Sequence, residues 1–148
     1  MKVAVNPAYE IDIHLSPVST IDSVDFENLQ FGKVFTDHMF EADYLDGKWT
    51  NCAIKPLTKL QLHPATSALH YGQAIFEGMK AFKNQEGKAT LFRPDANLSR
   101  LNESCRRMAI PEVPEELFMN ALFNLVRIEQ DWIPNTDDGS MYIRPYIF

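Results

Sequence analysis

The chain of 148 residues is 45% hydrophobic and 23% charged, enough for one globular domain with its own core. Its 20 acidic residues outnumber the 14 Lys and Arg, which argues against a nucleic-acid partner, and no apolar run is long enough for a membrane span. The N-terminal segment lacks the apolar core of a secretion signal, and Cys52 and Cys105 lie far apart without metal-binding spacing. We therefore expect a cytoplasmic protein with reduced thiols and with no metal, nucleic-acid or membrane partner.

The first third of the sequence predicts an arm followed by a β-hairpin. Residues 1–30 show little periodicity, and their scattered Pro, Ser and Asp predict an extended arm. A strand is predicted from residue 36 to residue 44, because every second residue lies on one face, namely His38, Phe40, Ala42 and Tyr44. Asp46-Gly47 predicts a tight turn, and residues 49–54 would return as the partner strand.

The stretch from Leu69 to Phe82 combines glycines, aromatics and one carboxylate. A glycine after a short apolar turn usually ends a helix, because only glycine enters the left-handed conformation at little steric cost. We therefore predict one or two helical turns over residues 71–77, ended by Gly78. A strand beginning at Met79 would form a second hairpin with residues 89–93.

Two helices are predicted after this hairpin. Pro94 begins the first, with Asp95 or Asn97 as its cap, and Pro111 ends it. Its predicted buried stripe is Leu98, Leu101, Cys105 and Met108. Pro114 and the acidic residues after it begin the second helix. Its predicted buried stripe is Leu117, Ala121, Leu125 and Ile128. Antiparallel hairpins with segregated helices predict an α+β fold, a mostly antiparallel sheet with helices packed on it.

A last strand is predicted over residues 141–148. Tyr142 and Arg144, two residues apart, project from one face of it, and apolar residues project from the other. From the residues alone, two interpretations stay open: a strand that lines a polar pocket, or an edge strand whose Arg144 contacts solvent or a surface carboxylate. The strand stops at the last residue, so we expect the chain to be a domain of something longer.

The run LHYGQAIFEGMKAFK at residues 69–83 resembles the signature of the branched-chain amino acid aminotransferases, pyridoxal-phosphate enzymes of fold type IV. Further matches occur in the family's order: FGKVFTDHM at 31–39, LHP at 62–64, LFRP at 91–94, NLSR at 97–100, DWIP at 131–134 and MYIRP at 141–145. Several motifs that share one order are far more specific than any one of them alone.

The resemblance implies that residues 31–148 form the small, N-terminal domain of such an enzyme, whose fold is that of the D-amino acid aminotransferases. It assigns Arg100 to the phosphate of pyridoxal 5'-phosphate through an NxxRxxxS motif. It also implies a set of substrate-binding residues: Phe31, Tyr71 and Phe76 as an apolar wall around the side chain, with Tyr142 and Arg144 at the carboxylate groups. The matching tyrosine at position 71 often reaches the active site of a neighbouring subunit, which implies a homo-oligomer.

The activity implied for the parent enzyme is transfer of the amino group of Leu, Ile or Val to 2-oxoglutarate, which yields glutamate and branched 2-oxo acids. None of the eight lysines matches the catalytic Schiff-base position, which the family has in its second domain. No catalytic residue is therefore assigned in this chain, and Glu77 is not given a catalytic role. We expect the chain alone to be inactive and to bind the cofactor weakly or not at all. We also expect it to self-associate. The alternatives are a D-amino acid aminotransferase, an aminodeoxychorismate lyase, or a non-catalytic dimerisation module.

Overall fold

The computed structural model describes residues 9–136 and 139–148. The strands are β1 (Asp12–Ile13), β2 (His38–Leu45), β3 (Lys48–Pro56), β4 (Ile75–Phe76), β5 (Met79–Lys83), β6 (Ala89–Leu91), β7 (Met141–Ile143) and β8 (Tyr146–Ile147). The helices are α1 (Ser67–Tyr71), α2 (Pro94–Met108) and α3 (Glu115–Ile128), with short 3₁₀ turns at Ile21–Ser23 and Gln130–Trp132. Within these ranges, no helix combines the length and apolarity needed to cross a membrane.

The strands form three small sheets in the orders β1-β3-β2, β4-β8 and β6-β5-β7. Every pair is antiparallel except β1 with β3. The predicted α+β class with mostly antiparallel strands is therefore confirmed. The main buried cluster lies between β5 and the two long helices, and it includes Met79, Ala81, Leu101, Cys105, Phe118, Leu122 and Ile133.

The first hairpin agrees with its prediction. β2 and β3 pair from His38 opposite Pro56 to Leu45 opposite Lys48, with a bulge after Glu41. Asp46 and Gly47 have φ angles of 49° and 79°, the left-handed values that a tight two-residue hairpin turn requires. The second hairpin, β5 with β6, is also confirmed.

The predicted helix over residues 71–77 is wrong. α1 ends at Tyr71, and Gly72, at a φ of 63°, is its left-handed terminator. Residues 75 and 76 instead form β4, which pairs with β8. From the local sequence, either Gly72 or Gly78 could end the helix. Gly78, however, does not have a left-handed φ. A glycine is needed at this position because Tyr142 packs closely against its backbone.

α2 buries Leu98, Leu101 and Cys105 as predicted, but Met108 is 37% exposed. Met108 is the last helical residue, and the chain turns away at Ala109, which has a left-handed φ of 54°. The predicted caps are also wrong. The helix begins directly at Pro94 without a side-chain cap hydrogen bond, because the N-cap residue is Arg93, whose side chain has no acceptor for a backbone N–H.

α3 begins after Pro114 as predicted. Its fully buried residues are Leu117, Phe118, Ala121, Leu122 and Val126. Leu125 and Ile128, predicted as buried, are only half-buried. α3 packs against both α2 and β2. Its buried face is therefore wider than the predicted stripe and is rotated around the helix axis relative to it.

The single strand predicted over residues 141–148 is wrong, because the chain forms β7 and β8 in different sheets. Pro145 lies between them, and a proline has no N–H to donate to a sheet. The predicted faces are confirmed, since Met141, Ile143 and Ile147 pack on the buried cluster.

The described part of the predicted arm, residues 9–30, contains β1 and one 3₁₀ turn; its first eight residues lie outside the described residues. The carboxylate of Asp37 joins the arm to the start of β2. It accepts hydrogen bonds from the hydroxyls of Ser19 and Thr20 and from the backbone N–H of Thr20. Burial opposes ionisation, but these hydrogen bonds prevail and lower the pKa of Asp37.

We expect Asp37→Asn to lower the free energy of unfolding by about 1 kcal/mol at neutral pH, because charge-assisted hydrogen bonds are lost. A lowered pKa gives stability that is complete above the ordinary value of 3.8 and is lost as pH falls through the lowered pKa. The difference between variant and wild type should therefore vanish in acid. Urea titrations at several pH values measure it. Asp22→Asn is the control, since Asp22 is an exposed aspartate of the same arm whose carboxylate makes no hydrogen bond among the described residues. An equal loss in both variants would contradict the prediction.

Candidate functional site

Glu77 and Gly78 connect β4 to β5 and lie at the centre of the candidate site. The backbone N–H of Glu77 donates to the carbonyl of Pro145 at 2.9 Å, which ties this connection to the corner between β7 and β8. The Glu77 carboxylate faces the other way, toward α2. One oxygen accepts the N–H of Gly78 at 3.0 Å, and the other accepts the side-chain amide of Asn97 at 3.4 Å.

Arg100, on the second turn of α2, is held by the same carboxylate. Its Nε donates to Oε2 of Glu77 at 2.8 Å, and its Nη2 lies 2.7 Å from that oxygen. The Arg100 side chain is 64% exposed, whereas that of Glu77 is 13% exposed. Of the five N–H donors of a guanidinium, Glu77 engages two, so three remain directed away from the carboxylate.

On the other side of Gly78, Tyr142 and Arg144 form a cluster with two phenylalanines. The guanidinium carbon of Arg144 lies 5.1 Å from the ring centre of Phe76 and 5.2 Å from that of Tyr142. The ring of Phe31 meets Tyr142 edge-on at 5.2 Å. Phe31 and Phe76 are 75% and 66% exposed. We call these four residues the aromatic–arginine cluster.

The cluster carries positive charge on an exposed surface. Arg144 has no carboxylate partner among residues 9–136 and 139–148. It is exposed and β7 lies at the edge of its sheet, so the interpretation of an edge strand with Arg144 in solvent agrees with the structure, whereas a surface-carboxylate contact is not supported there. Lys80 pairs in register with Tyr142 on the adjacent strand, so their side chains share a face of the sheet. Lys80 likewise lacks an ion-pair partner in the described part of the chain. A guanidinium beside two aromatic rings, with a lysine on the same face of the adjacent strand, suits a carboxylate with an apolar group attached.

The structure therefore brings four of the six predicted site residues into one cluster, with Arg100 connected to it through Glu77 and Gly78. Phe31, Tyr142 and Arg144 line a broad open groove, and Arg100 is not among its lining residues. Tyr71 is not brought into the cluster. Its side chain is 86% exposed, and its ring lies against His70 at 6.3 Å between centres.

Sequence reasoning gives Glu77 a structural rather than a catalytic role but misses its partners, and it misses the roles of Gly78 and Asn97. A side chain on Gly78 would place its Cβ 2.3 Å from the Tyr142 hydroxyl, so glycine is needed for the sheet to accept Tyr142. Asn97 and Arg100 are three residues apart on a helix and so share a face. That spacing, together with a carboxylate next to a glycine, was the available signal for a hydrogen-bonded centre.

The cysteines and the acidic residues add no further chemistry to the site. Cys52 and Cys105 are buried free thiols, and burial raises the pKa of both, which disfavours the nucleophilic thiolate. In the ranges that the structure describes, no three His, Cys, Asp or Glu residues are grouped so that they could hold a metal ion.

The residues around Arg100 fit an anionic group such as a phosphate ester. The guanidinium is exposed and keeps three N–H donors free of Glu77, and a forked donor suits phosphate oxygens. Asn97 is committed to Glu77 and to the carbonyl of Gly78 and would not contribute. Arg100 could therefore hold a phosphate group, as the resemblance implies.

No protein-family model matches the chain. Individual relatives do. It is 48% identical over 124 residues to branched-chain-amino-acid transaminase 1 of Bacillus subtilis, a match that covers 83% of this chain and 35% of the relative. A second B. subtilis protein, branched-chain-amino-acid aminotransferase 2, is 47% identical over 83% of this chain and 34% of its own length. The branched-chain-amino-acid aminotransferase of Mycolicibacterium smegmatis is 45% identical over 81% of this chain and 33% of its own length.

The matches cover 81–83% of the chain, and the chain spans about a third of the length of each relative. The resemblance seen in the motifs is confirmed: over most of its length, the chain is a homologue of the branched-chain-amino-acid aminotransferases.

Proposed function

We propose that this chain is the small domain of a fold type IV branched-chain amino acid aminotransferase and supplies one wall of its active site. The whole enzyme would transfer the amino group of Leu, Ile or Val to 2-oxoglutarate. The identity of 45–48% to proteins of that name supports the proposal, as does the α+β architecture with small antiparallel sheets. The three relatives named above are all branched-chain aminotransferases, which favours this activity over a D-amino acid aminotransferase or a lyase.

The observation that carries the proposal is the aromatic–arginine cluster. Arg144 is exposed and free of carboxylates in the described part of the chain, so its planar guanidinium is available for the carboxylate groups of an amino acid or of 2-oxoglutarate. The rings of Phe31 and Phe76 offer apolar surface beside it for a branched side chain. Such a wall selects by shape, with about 1–3 kcal/mol of discrimination per methylene.

The other end of the proposed site is Arg100, which would hold the phosphate of the cofactor. When bound, pyridoxal phosphate supplies the electron sink that lets an amino group leave one carbon skeleton and join another. Arg100 would contribute binding and orientation only. We also propose that the covalent lysine belongs to a part of the enzyme beyond this chain, because none of the eight lysines here matches its position.

A homo-oligomer is part of the proposal. Tyr71 and Phe92 are 86% and 80% exposed, and large exposed aromatics mark surfaces that another chain or domain covers. The same exposure is compatible with a non-catalytic dimerisation module. Activity of the chain extended to the length of its relatives separates the two candidates.

We expect that extended protein to transaminate Leu, Ile and Val with 2-oxoglutarate. Arg144→Leu should raise the KM for 2-oxoglutarate on the order of 10–100-fold, because charge-assisted hydrogen bonds to the second carboxylate are lost. Arg107→Leu is the matched control, an exposed arginine paired with Glu103 on α2. Steady-state kinetics with both substrates varied measure the effect. Absence of any branched-chain transamination would overturn the proposal, and equal KM values for the two variants would remove Arg144 from the site.

A further inference from the structure

The Arg100–Glu77 pair differs from the other Arg–Glu pairs of α2. In the pairs Arg106–Glu112 and Arg107–Glu103, both side chains are about half exposed or more, with the carboxylates at 48% and 54%. Such pairs are mobile and contribute little. The Glu77 side chain is only 13% exposed. The exposed guanidinium of Arg100 is therefore anchored on the largely buried carboxylate of Glu77. Because Glu77 is fixed, it determines the position of the positive charge of Arg100.

The carboxylate itself is fixed from several directions. Gly78 donates to one oxygen, and Asn97 donates to the other and to the carbonyl of Gly78. The backbone N–H of Glu77 is held by Pro145. Since Nε and Nη2 of Arg100 both approach one oxygen of this fixed group, the plane of the guanidinium is set and its remaining edge is directed outward.

We propose that Glu77 is a positioning residue, which orients Arg100 for an anionic phosphate ester and sets its place relative to Tyr142 and Arg144. The inference rests on the proposed function and adds a role to it. Glu77 contacts Arg100 through its side chain and the β7–β8 corner through its backbone, and Gly78 contacts Tyr142. One dipeptide thus connects the phosphate-binding end of the site to the carboxylate-binding end.

A role limited to charge neutralisation makes the opposite prediction. A carboxylate beside a guanidinium cancels its charge, so removing that carboxylate would raise affinity for any anion. If Glu77 positions Arg100, its removal frees a long side chain that must be ordered again on binding, which lowers affinity. Glu77→Asp separates the roles further, because it keeps the charge but withdraws it by one methylene from Arg100.

The test follows the side-chain Nε–Hε resonance of Arg100 by ¹H–¹⁵N NMR in the chain itself, with inorganic phosphate and pyridoxal phosphate as probes. In wild type we expect a dispersed, slowly exchanging resonance that moves on phosphate titration. Glu77→Gln and Glu77→Asp should both shift it to the position of exposed arginines and weaken phosphate binding about 3–10-fold. Glu103→Gln, which removes an exposed pair from the same helix, should leave the Arg100 resonance unchanged.

Two results would overturn the positioning role. One is an Arg100 resonance that stays as dispersed and as slowly exchanging in both Glu77 variants as in wild type, and the other is stronger phosphate binding by the variants. If neither phosphate nor pyridoxal phosphate moves the resonance in wild type, the loss of order still decides the role of Glu77. The assignment of Arg100 is then tested by Arg100→Leu in the chain extended to the length of its relatives, where an unchanged affinity for pyridoxal phosphate would overturn it. Should the Glu77 variants not fold, Asn97→Ala removes one support of the carboxylate while it keeps the ion pair, and a partial loss of Arg100 order is expected.

Discussion

Replacing Gly78 with alanine is expected to displace Tyr142 and to lower the free energy of unfolding by about 1–3 kcal/mol, as overpacking does. The added Cβ would lie 2.3 Å from the Tyr142 hydroxyl oxygen, 3.0 Å from Cζ and 3.1 Å from Cε2. These distances are too short for nonbonded atoms, so the ring has to move. The backbone at Gly78 has no left-handed φ, and the clash is therefore the whole cause of the effect.

Tyr142 has little freedom to give way at low cost. Its ring contacts Phe31 edge-on at 5.2 Å, and its hydroxyl lies 3.4 Å from Nη2 of Arg144. A displaced ring would lose both contacts and disturb the aromatic–arginine cluster. Urea denaturation gives the stability change, and the aromatic NMR resonances of Tyr142 report its displacement.

Tyr142→Phe in the Gly78→Ala background should recover part of the lost stability, because it removes the atom nearest to the new Cβ. Gly87→Ala is the control. A Cβ added at Gly87 would meet no heavy atom within 4 Å, but the φ of this residue is 75°, so its replacement acts through backbone strain of about 1–2 kcal/mol. Tyr142→Phe should not rescue it. A Gly78→Ala protein with wild-type stability and unmoved Tyr142 resonances would contradict the steric explanation.

The elements that the sequence predicts correctly are specified by nearby residues. Asp46-Gly47 defines the first hairpin because its turn needs left-handed φ angles. Pro114, the extended N-cap residue, defines the start of α3 because a proline breaks a helix that would continue through it. The shared face of Tyr142 and Arg144 follows from the period of a strand, and it survives the break at Pro145.

The errors come from partners that are distant in the sequence. Residues 75–76 form a strand only because β8 pairs with them, and no local pattern separates that state from a helical turn. The contact of Phe31 with Tyr142 is similar, since it joins opposite ends of the chain. The motif resemblance assigned six residues to the candidate site, and four of them lie in one cluster. It did not predict that Arg100 would be bound to Glu77, because an ion pair has no periodicity.

The second large effect is expected at the buried pair of His38 and Glu129. Nε2 of His38 accepts the backbone N–H of Ser16 at 2.7 Å, so the ring proton is on Nδ1, which bonds the Glu129 carboxylate. Glu129 is 2% exposed. Burial raises the pKa of Glu129, while the hydrogen bond from His38 and the backbone N–H of Asp37 oppose this rise.

We expect His38→Ala to lower the free energy of unfolding by about 3–5 kcal/mol at neutral pH, because a buried carboxylate loses its main partner. Urea denaturation measures the loss. His14→Ala is the control, an exposed histidine whose bond to β3 is made by its backbone. Glu129→Gln should cost less than His38→Ala, because it keeps an acceptor for the Nδ1 proton and leaves no charge buried.

The pH dependence identifies the cause of the loss. A carboxyl whose pKa is raised on folding stabilises the native state fully below its ordinary value of 4.5, and this stability is lost as pH rises through the raised value. Without His38 the pKa of Glu129 should rise further, because burial is then less opposed. The loss of stability in His38→Ala relative to wild type should thus increase between pH 4.5 and neutrality. In the double variant His38→Ala/Glu129→Gln, this increase with pH should be smaller. A deficit that is constant with pH would mean that lost packing, and not an unpaired buried charge, destabilises the variant.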